Sequence, residues 1–216
     1  MDAIETHDMG HGIFVEVHYD EVAEHSNPRE WDQLGIMVCA HRNYELGDVQ
    51  LPRDHSYASI EELVEDMKED HKGARNFHPL YLLDHSGLWM TMGERIDRVE
   101  ENPFGVDPGG WDTSLVGVIF TDDARMEVCG APEDSIDQQL EGEVKEYSAW
   151  LEGAVYGYVV KQLVPVVVVT KESGALVSEE TRSVVLDSCW GFVGETEYAL
   201  AEGKAAAQHY VDEAAK

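Results

Sequence analysis

The longest unbroken apolar run in the chain, Leu163 to Val169 (LVPVVVV), spans seven residues. A membrane-spanning helix needs about 20 such residues, so a run this short is strand-length and no membrane partner is expected. Apolar residues elsewhere follow two periods. Ile60, Leu63, Val64 and Met67 fall at i, i+3, i+4 and i+7 behind Ser59, with Glu62 three residues after it. This is a capping box opening an amphipathic helix over 59–71. Ile136, Leu140, Val144, Tyr147 and Leu151 hold a second helical face, opened by Pro132 and stopped by Gly153. Thr196 to Glu213 reads as a closing helix, and Asp122 to Val128 and Glu94 to Glu101 as shorter helical pieces.

Strand-like segments fill the intervals. Ile13 to Tyr19 alternates, whereas Leu34 to Ala40 (LGIMVCA) is continuously apolar and predicts a buried strand. Leu80 to Asp84 and Leu88 to Met92 flank His85-Ser86-Gly87 as a hairpin or bent strand, with Gly87 expected at positive φ. Leu115 to Thr121, Ala154 to Lys161, Val164 to Thr170 and Arg182 to Cys189 complete the set, with loops over 102–110 and 173–180. Pro165 cannot donate to a ladder, so its strand should not start in a central position. The pattern predicts an α+β fold: a mixed, mostly antiparallel sheet with about three packed helices. Residues 1–12 read as a disordered arm and 13–216 as one domain, in which 161–182 is an inserted hairpin.

With 43% hydrophobic residues there is ample material for a core, and charge then bounds the habitat. There are 44 Asp and Glu against 15 Lys and Arg, a formal charge of −29. The first 108 residues carry 24 acidic and 8 basic groups and the last 108 carry 20 and 7, so the halves contribute −16 and −13. So even a spread predicts an acidic shell over the whole surface rather than an acidic tail. Screening falls to roughly 3 Å at 1 M salt, where such a shell is tolerated and keeps the chain soluble. The expected setting is the cytoplasm of a halophile. Direct nucleic-acid binding is disfavoured, because no Lys/Arg cluster exists to displace counterions. An acidic DNA mimic that inhibits host defence would concentrate its carboxylates in stripes. The opening MDAIETHDMGHG lacks the basic and apolar regions of a secretory leader. Three cysteines are too few for a disulfide scaffold and fit a reducing compartment.

Several residues could carry chemistry. Cys39 and His41, two apart on a predicted strand, share a face and are the weak candidates for metal ligands, with Asp84 or His85 completing a shell. No C-x-x-C pair supports a structural zinc site, and a buried Cys beside a backbone-bonded His is the preferred reading. No cofactor is expected. Cys189-Trp190 invites comparison with thiol proteases, but Cys189 ends a strand rather than opening a helix, and a base such as His41 or His85 would have to approach in space. Asp84-His85-Ser86-Gly87 reads as a β-turn more readily than as an acid–base dyad. The catalytic candidates are therefore His41, Asp84, His85 and Cys189. The binding candidates are Arg29, Trp31, Asp32, Arg42, Trp111, Asp112 and Trp190. A Trp-Asp pair precedes a Gly-containing apolar strand twice, at Trp31-Asp32 and Trp111-Asp112, either as an internal echo or as two capping turns.

Five segments, NPREWDQLGIMVCAHRNYELGD, PLYLLDHSGLWM, WDTSLVGVIF, EVKEYSAWLEGAVYGYVV and DSCWGFVG, run in order from about residue 27 to 194. Together they resemble an uncharacterised protein family of tailed phages, prophages and haloarchaeal viruses. The resemblance implies a virus- or provirus-borne protein and brings no established activity or catalytic residues. The chain departs from it in its acidity, in the Pro/Gly loop before Trp111 and in an insertion between Val160 and Ser183. The expected function is that of a cytoplasmic accessory protein acting by binding a host or viral protein, with no catalysis required. The alternatives are a small hydrolase-type enzyme using His, Asp and Cys side chains and the DNA mimic. Nothing in the pattern fixes an oligomeric state.

Overall fold

The structure is a computed structural model that describes residues 2–94, 96–97, 103–172, 174 and 176–215. Most of the helical turn expected at Glu94 to Glu101 lies outside the described residues. The fold is α+β, with mostly antiparallel strands in two sheets rather than one. The chain divides into two compact units. Residues 27–153 form one, and 1–26 together with 154–216 form the other, so the first is inserted between two segments of the second.

The inserted unit holds a five-stranded sheet of order β4-β3-β7-β5-β6, comprising β3 (Ile36–Cys39), β4 (Val49–Gln50), β5 (Arg75–Asp84), β6 (Leu88–Met92) and β7 (Thr113–Thr121). Every pairing is antiparallel except β3 with β4. Its helices are α1 (Ile60–Asp70), α2 (Asp123–Cys129) and α3 (Ile136–Leu151). All four residues of β3 are buried, because the sheet is covered on both faces. Met37 and Cys39 pack with Leu140, Val144 and Tyr147 of α3, while Ile36 and Val38 pack with Leu63, Val64 and Met67 of α1. Two covered faces remove the polar half of the alternation, which is why LGIMVCA is continuously apolar. In β7 a bulge at Gly117 (φ 157°) sends Val116 and Ile119 to the α3 side and Val118 and Phe120 to the α1 side. A Cβ at Gly117 would stand 2.0 Å from the Val38 carbonyl oxygen.

The capping box at α1 forms with a shift. Ser59 Oγ accepts from Glu62 N, but the Glu62 carboxylate reaches back to Ala58 N at 2.7 Å rather than to Ser59. Pro132 leads into a 3-10 turn (Glu133–Ser135) before α3 begins. In the tight turn after β5 the positive φ falls on Ser86 (60°) instead of Gly87.

The second unit is an antiparallel sheet of order β1-β2-β8-β9, formed by β1 (Glu5–Gly10), β2 (Ile13–Tyr19), β8 (Val155–Val169) and β9 (Leu176–Val193). Helix α4 (Thr196–Ala214) packs on it through Ala199, Leu200 and Ala207 against Val15, Tyr158 and Val160. Residues 5–10, expected as part of a disordered arm, are an edge strand held by backbone pairing to β2. Strands β8 and β9 are continuous across Pro165 and into the expected loop, since Leu176–Glu180 already pair with Val166–Val169.

Candidate functional site

The ends of the Asn27–Asp48 stretch are tied to each other. Arg29 Nη2 and Nε donate to the two oxygens of Asp48 at 2.6 and 3.2 Å, and Nη1 donates to Glu143 of α3 at 3.0 Å. The remaining Nη2 proton goes to Gly35 O at 2.7 Å. Glu143 also accepts from Leu34 N at 2.6 Å and Gly35 N at 3.0 Å, and Asp48 from Met37 N at 2.7 Å. A Cβ on Gly35 would press within 2.8 Å of the Glu143 carboxylate. Burial opposes the Arg29 charge, and Asp48 and Glu143 more than offset it, so Arg29 stays protonated. With its side chain 2% exposed, Arg29 anchors this stretch and is closed to ligands. Trp31 and Asp32 are exposed beyond the network, with Asp32 on the side of Cys129.

Cys39 and His41 part company in the structure. Cys39 is fully buried, and burial, with Asp48 nearby, pushes its thiol up to about 12, which makes it inert as nucleophile or ligand. His41 lies past the end of β3 and stacks on Tyr44, with ring centroids 4.9 Å apart. Its Nδ1 accepts from Asn43 N at 3.3 Å, which leaves the proton of the neutral ring on Nε2. Burial lowers the His41 pKa, Asp84 opposes that shift and Arg42 reinforces it. The Tyr44 hydroxyl bonds to Asp84, which raises its own pKa. Among the described residues, no group of three or more His, Cys, Asp or Glu side chains could hold a metal ion.

His41, Arg42, Asp84, Trp111, Asp112 and Ser114 line one hollow of about 380 Å³ at the end of the five-stranded sheet. Strand pairing brings them there: Asp84 ends β5, Asp112 precedes β7, and Asp84 N donates to Asp112 O at 2.9 Å. His85 joins from the next position, its Nδ1 2.7 Å from Asp112 Oδ2. Thus Asp84 and His85 do not pair with each other, and His85 takes Asp112 instead. The loop before β7 is pinned by Asp107, which accepts from Trp111 N, Asp112 N and Thr113 Oγ1 at 3.2, 3.0 and 2.9 Å. The capping role considered for Asp112 therefore belongs to Asp107. Asp107 and Tyr44 escaped the reading of the sequence, although VDPGG before a Trp is a recognisable Asx-turn signal.

Cys189 and Trp190 lie on β9 in the other compact unit, both exposed, with Cys189 Sγ 3.9 Å from the Trp190 carbonyl. Trp190 lies flat over Gly157, where a Cβ would come within 2.2 Å of its ring.

That unit also carries an unusual surface. β2 pairs with β8 only as far as Gln162, so in the sheet Leu163–Val169 have β9 alone as neighbour. Leu163 N donates to Gly12 O, which fixes the direction of the alternation and points the ring nitrogen of Pro165 to the open edge, where no donor is needed. On one face Val164, Val166 and Val168 are half-buried, with Arg182 and Glu180 opposite the first two and paired with each other at 3.2 Å. The other face presents Leu163, Pro165, Val167 and Val169 to solvent, with Leu176 opposite Val169; Val167 is 58% and Leu176 62% exposed. From Leu163 to Val185 there are two basic and three acidic residues, a net −1 in a chain of −29.

Among the described residues, no helix is long and apolar enough to cross a membrane. The chain matches no protein-family model, no curated protein and no solved structure.

Proposed function

We propose that this chain is a virus- or provirus-borne accessory protein of a halophilic host, working in the host cytoplasm by binding another host or viral protein through the outer half of the β8–β9 ribbon. The carrying observation is the exposed apolar face of Leu163, Val167, Val169 and Leu176, on a ribbon whose net charge is −1 in a chain of −29. A two-stranded ribbon is marginal in water by itself, and a bare apolar face on it gains from being covered. The acidity of the chain as a whole favours a partner with an apolar patch rimmed by Lys or Arg.

The test is capture from infected cells in molar KCl with the full chain and with a Val167→Glu/Leu176→Glu chain, alongside a control changed at exposed Asp54. A partner retained by wild type and control but lost with the ribbon variant supports the reading. A homodimer that forms through the ribbon in the purified protein overturns it. The habitat is tested separately: melting temperature should rise steeply between about 0.1 and 2 M KCl as screening relieves self-repulsion. A melting point independent of salt removes the halophile.

One observation favours a second reading, a small hydrolase-type enzyme: His41, Arg42, Asp84 and Asp112 share one hollow, and burial shifts His41 toward the neutral form that a base needs. Turnover of an ester or phosphoester chromogen that His41→Ala abolishes would support it.

A further inference from the structure

Beside the hollow, and distinct from the ribbon, is a larger apolar cleft of about 590 Å³. Leu83, Trp89, Phe104 and Val106 supply its walls, and His85 and Asp112 its polar edge. Its volume falls within the ~300–1,000 Å³ of small-molecule sites, which share this composition of mostly apolar lining with a few placed polar groups. Three features restrict what fits. Trp89 and Phe104 put two aromatic rings in the lining, so a flat π-system suits it best. The Trp89 ring also lies against Gly87, where any Cβ would come within 2.7 Å of it.

The second feature is the acceptor. With Nδ1 of His85 donating to Asp112 at 2.7 Å, the neutral imidazole carries its lone pair on Nε2. In that form Nε2 is the acceptor that a ligand N–H would need. The third is charge. Asp107 and Asp112 both border the cleft, which excludes carboxylates and phosphates.

We propose that this cleft binds a small, uncharged heteroaromatic ring that presents an N–H donor to His85 Nε2. An indole and a free nucleobase share that chemistry.

The test uses ligand-observed saturation-transfer NMR and titration of the full chain in 2 M KCl. Indole and adenine separate the two sources, benzothiophene is the isostere of indole without the N–H, and indole-3-carboxylate is the anionic control. Indole or adenine should bind more tightly than benzothiophene, and the carboxylate should not bind. His85→Ala should weaken the N–H probe about tenfold, the size of one neutral hydrogen bond, and leave benzothiophene unchanged. Val106→Trp, at a position 81% exposed and so tolerant of substitution, should block every probe by filling the cleft. Failure of both N–H probes to bind overturns the proposal, as does binding that survives Val106→Trp. An equal loss of indole and benzothiophene in His85→Ala also overturns it, since the imidazole would then be only a wall.

Discussion

Strands β3 and β8 are both rich in branched apolar residues, yet they have opposite fates. Ile36–Cys39 is flanked by β4 and β7 and covered by α1 and α3, so all four side chains are buried. Val155–Val160 in β8 enjoys similar cover from β2, β9 and α4, but beyond Gln162 the same strand continues with one neighbour and a bare face. Local composition is therefore silent on burial here; what decides it is whether a second strand and a helix reach that far. A strand left half-dressed by its own chain is where an outside partner gains most.

The contrast can be broken most severely through ion pairs. Arg29→Ala removes a buried cation and leaves the carboxylates of Asp48 and Glu143, whose side chains are 14% and 10% exposed, without it, and should cost about 3–5 kcal/mol in a denaturant melt, whereas Arg182→Ala on the ribbon should cost less than about 1 kcal/mol. Comparable losses would mean that the ribbon is not the exposed element described. Core truncation comes next. Leu82→Ala, at 0% exposure, should cost about 2–5 kcal/mol, while Val167→Ala should stay within about 0.5 kcal/mol.

The smallest effect is with pH. Hydrogen bonds from Asn76 at 2.6 Å and from His78 hold the Asp137 carboxyl below its ordinary value of 3.8. A depressed folded-state pKa gives stability that is present above the unfolded value and lost as pH falls through the folded one. Stability should therefore decline as pH drops below about 4, and Asp137→Asn should flatten part of that decline in melts at fixed salt. An unchanged acid limb in the variant would show that the contacts are not formed.

The periodic elements were legible because their signals are local. The stripes of α1 and α3 and the doubly buried β3 follow from spacing alone. Strand β1 was not, since ETHDMG has no apolar alternation and exists through backbone pairing with β2. Pro165 read as keeping its strand from a central position, and it does sit on an open edge where its missing N–H costs nothing; the gap expected between Lys161 and Val164 is absent, and β8 runs through it. His41, Arg42, Asp84, His85 and Asp112 were singled out by residue type. Their meeting at one end of a sheet depends on the β3–β7 and β5–β7 registers, which no short segment encodes. The pairing of Arg29 with Asp48, 19 residues apart, was likewise invisible, and it turns the polar ends of that stretch into a clasp.

Amide hydrogen exchange on the isolated, monomeric chain in molar KCl tests the ribbon most directly. With few covering contacts, Val166, Val168 and Ser178, whose amides face the β8–β9 ladder, should exchange through local opening, far faster than Val38, Leu82 and Val118, which should need global unfolding. A ribbon as protected as those central strands in the absence of any partner would contradict the claim that its apolar face is left bare to bind one.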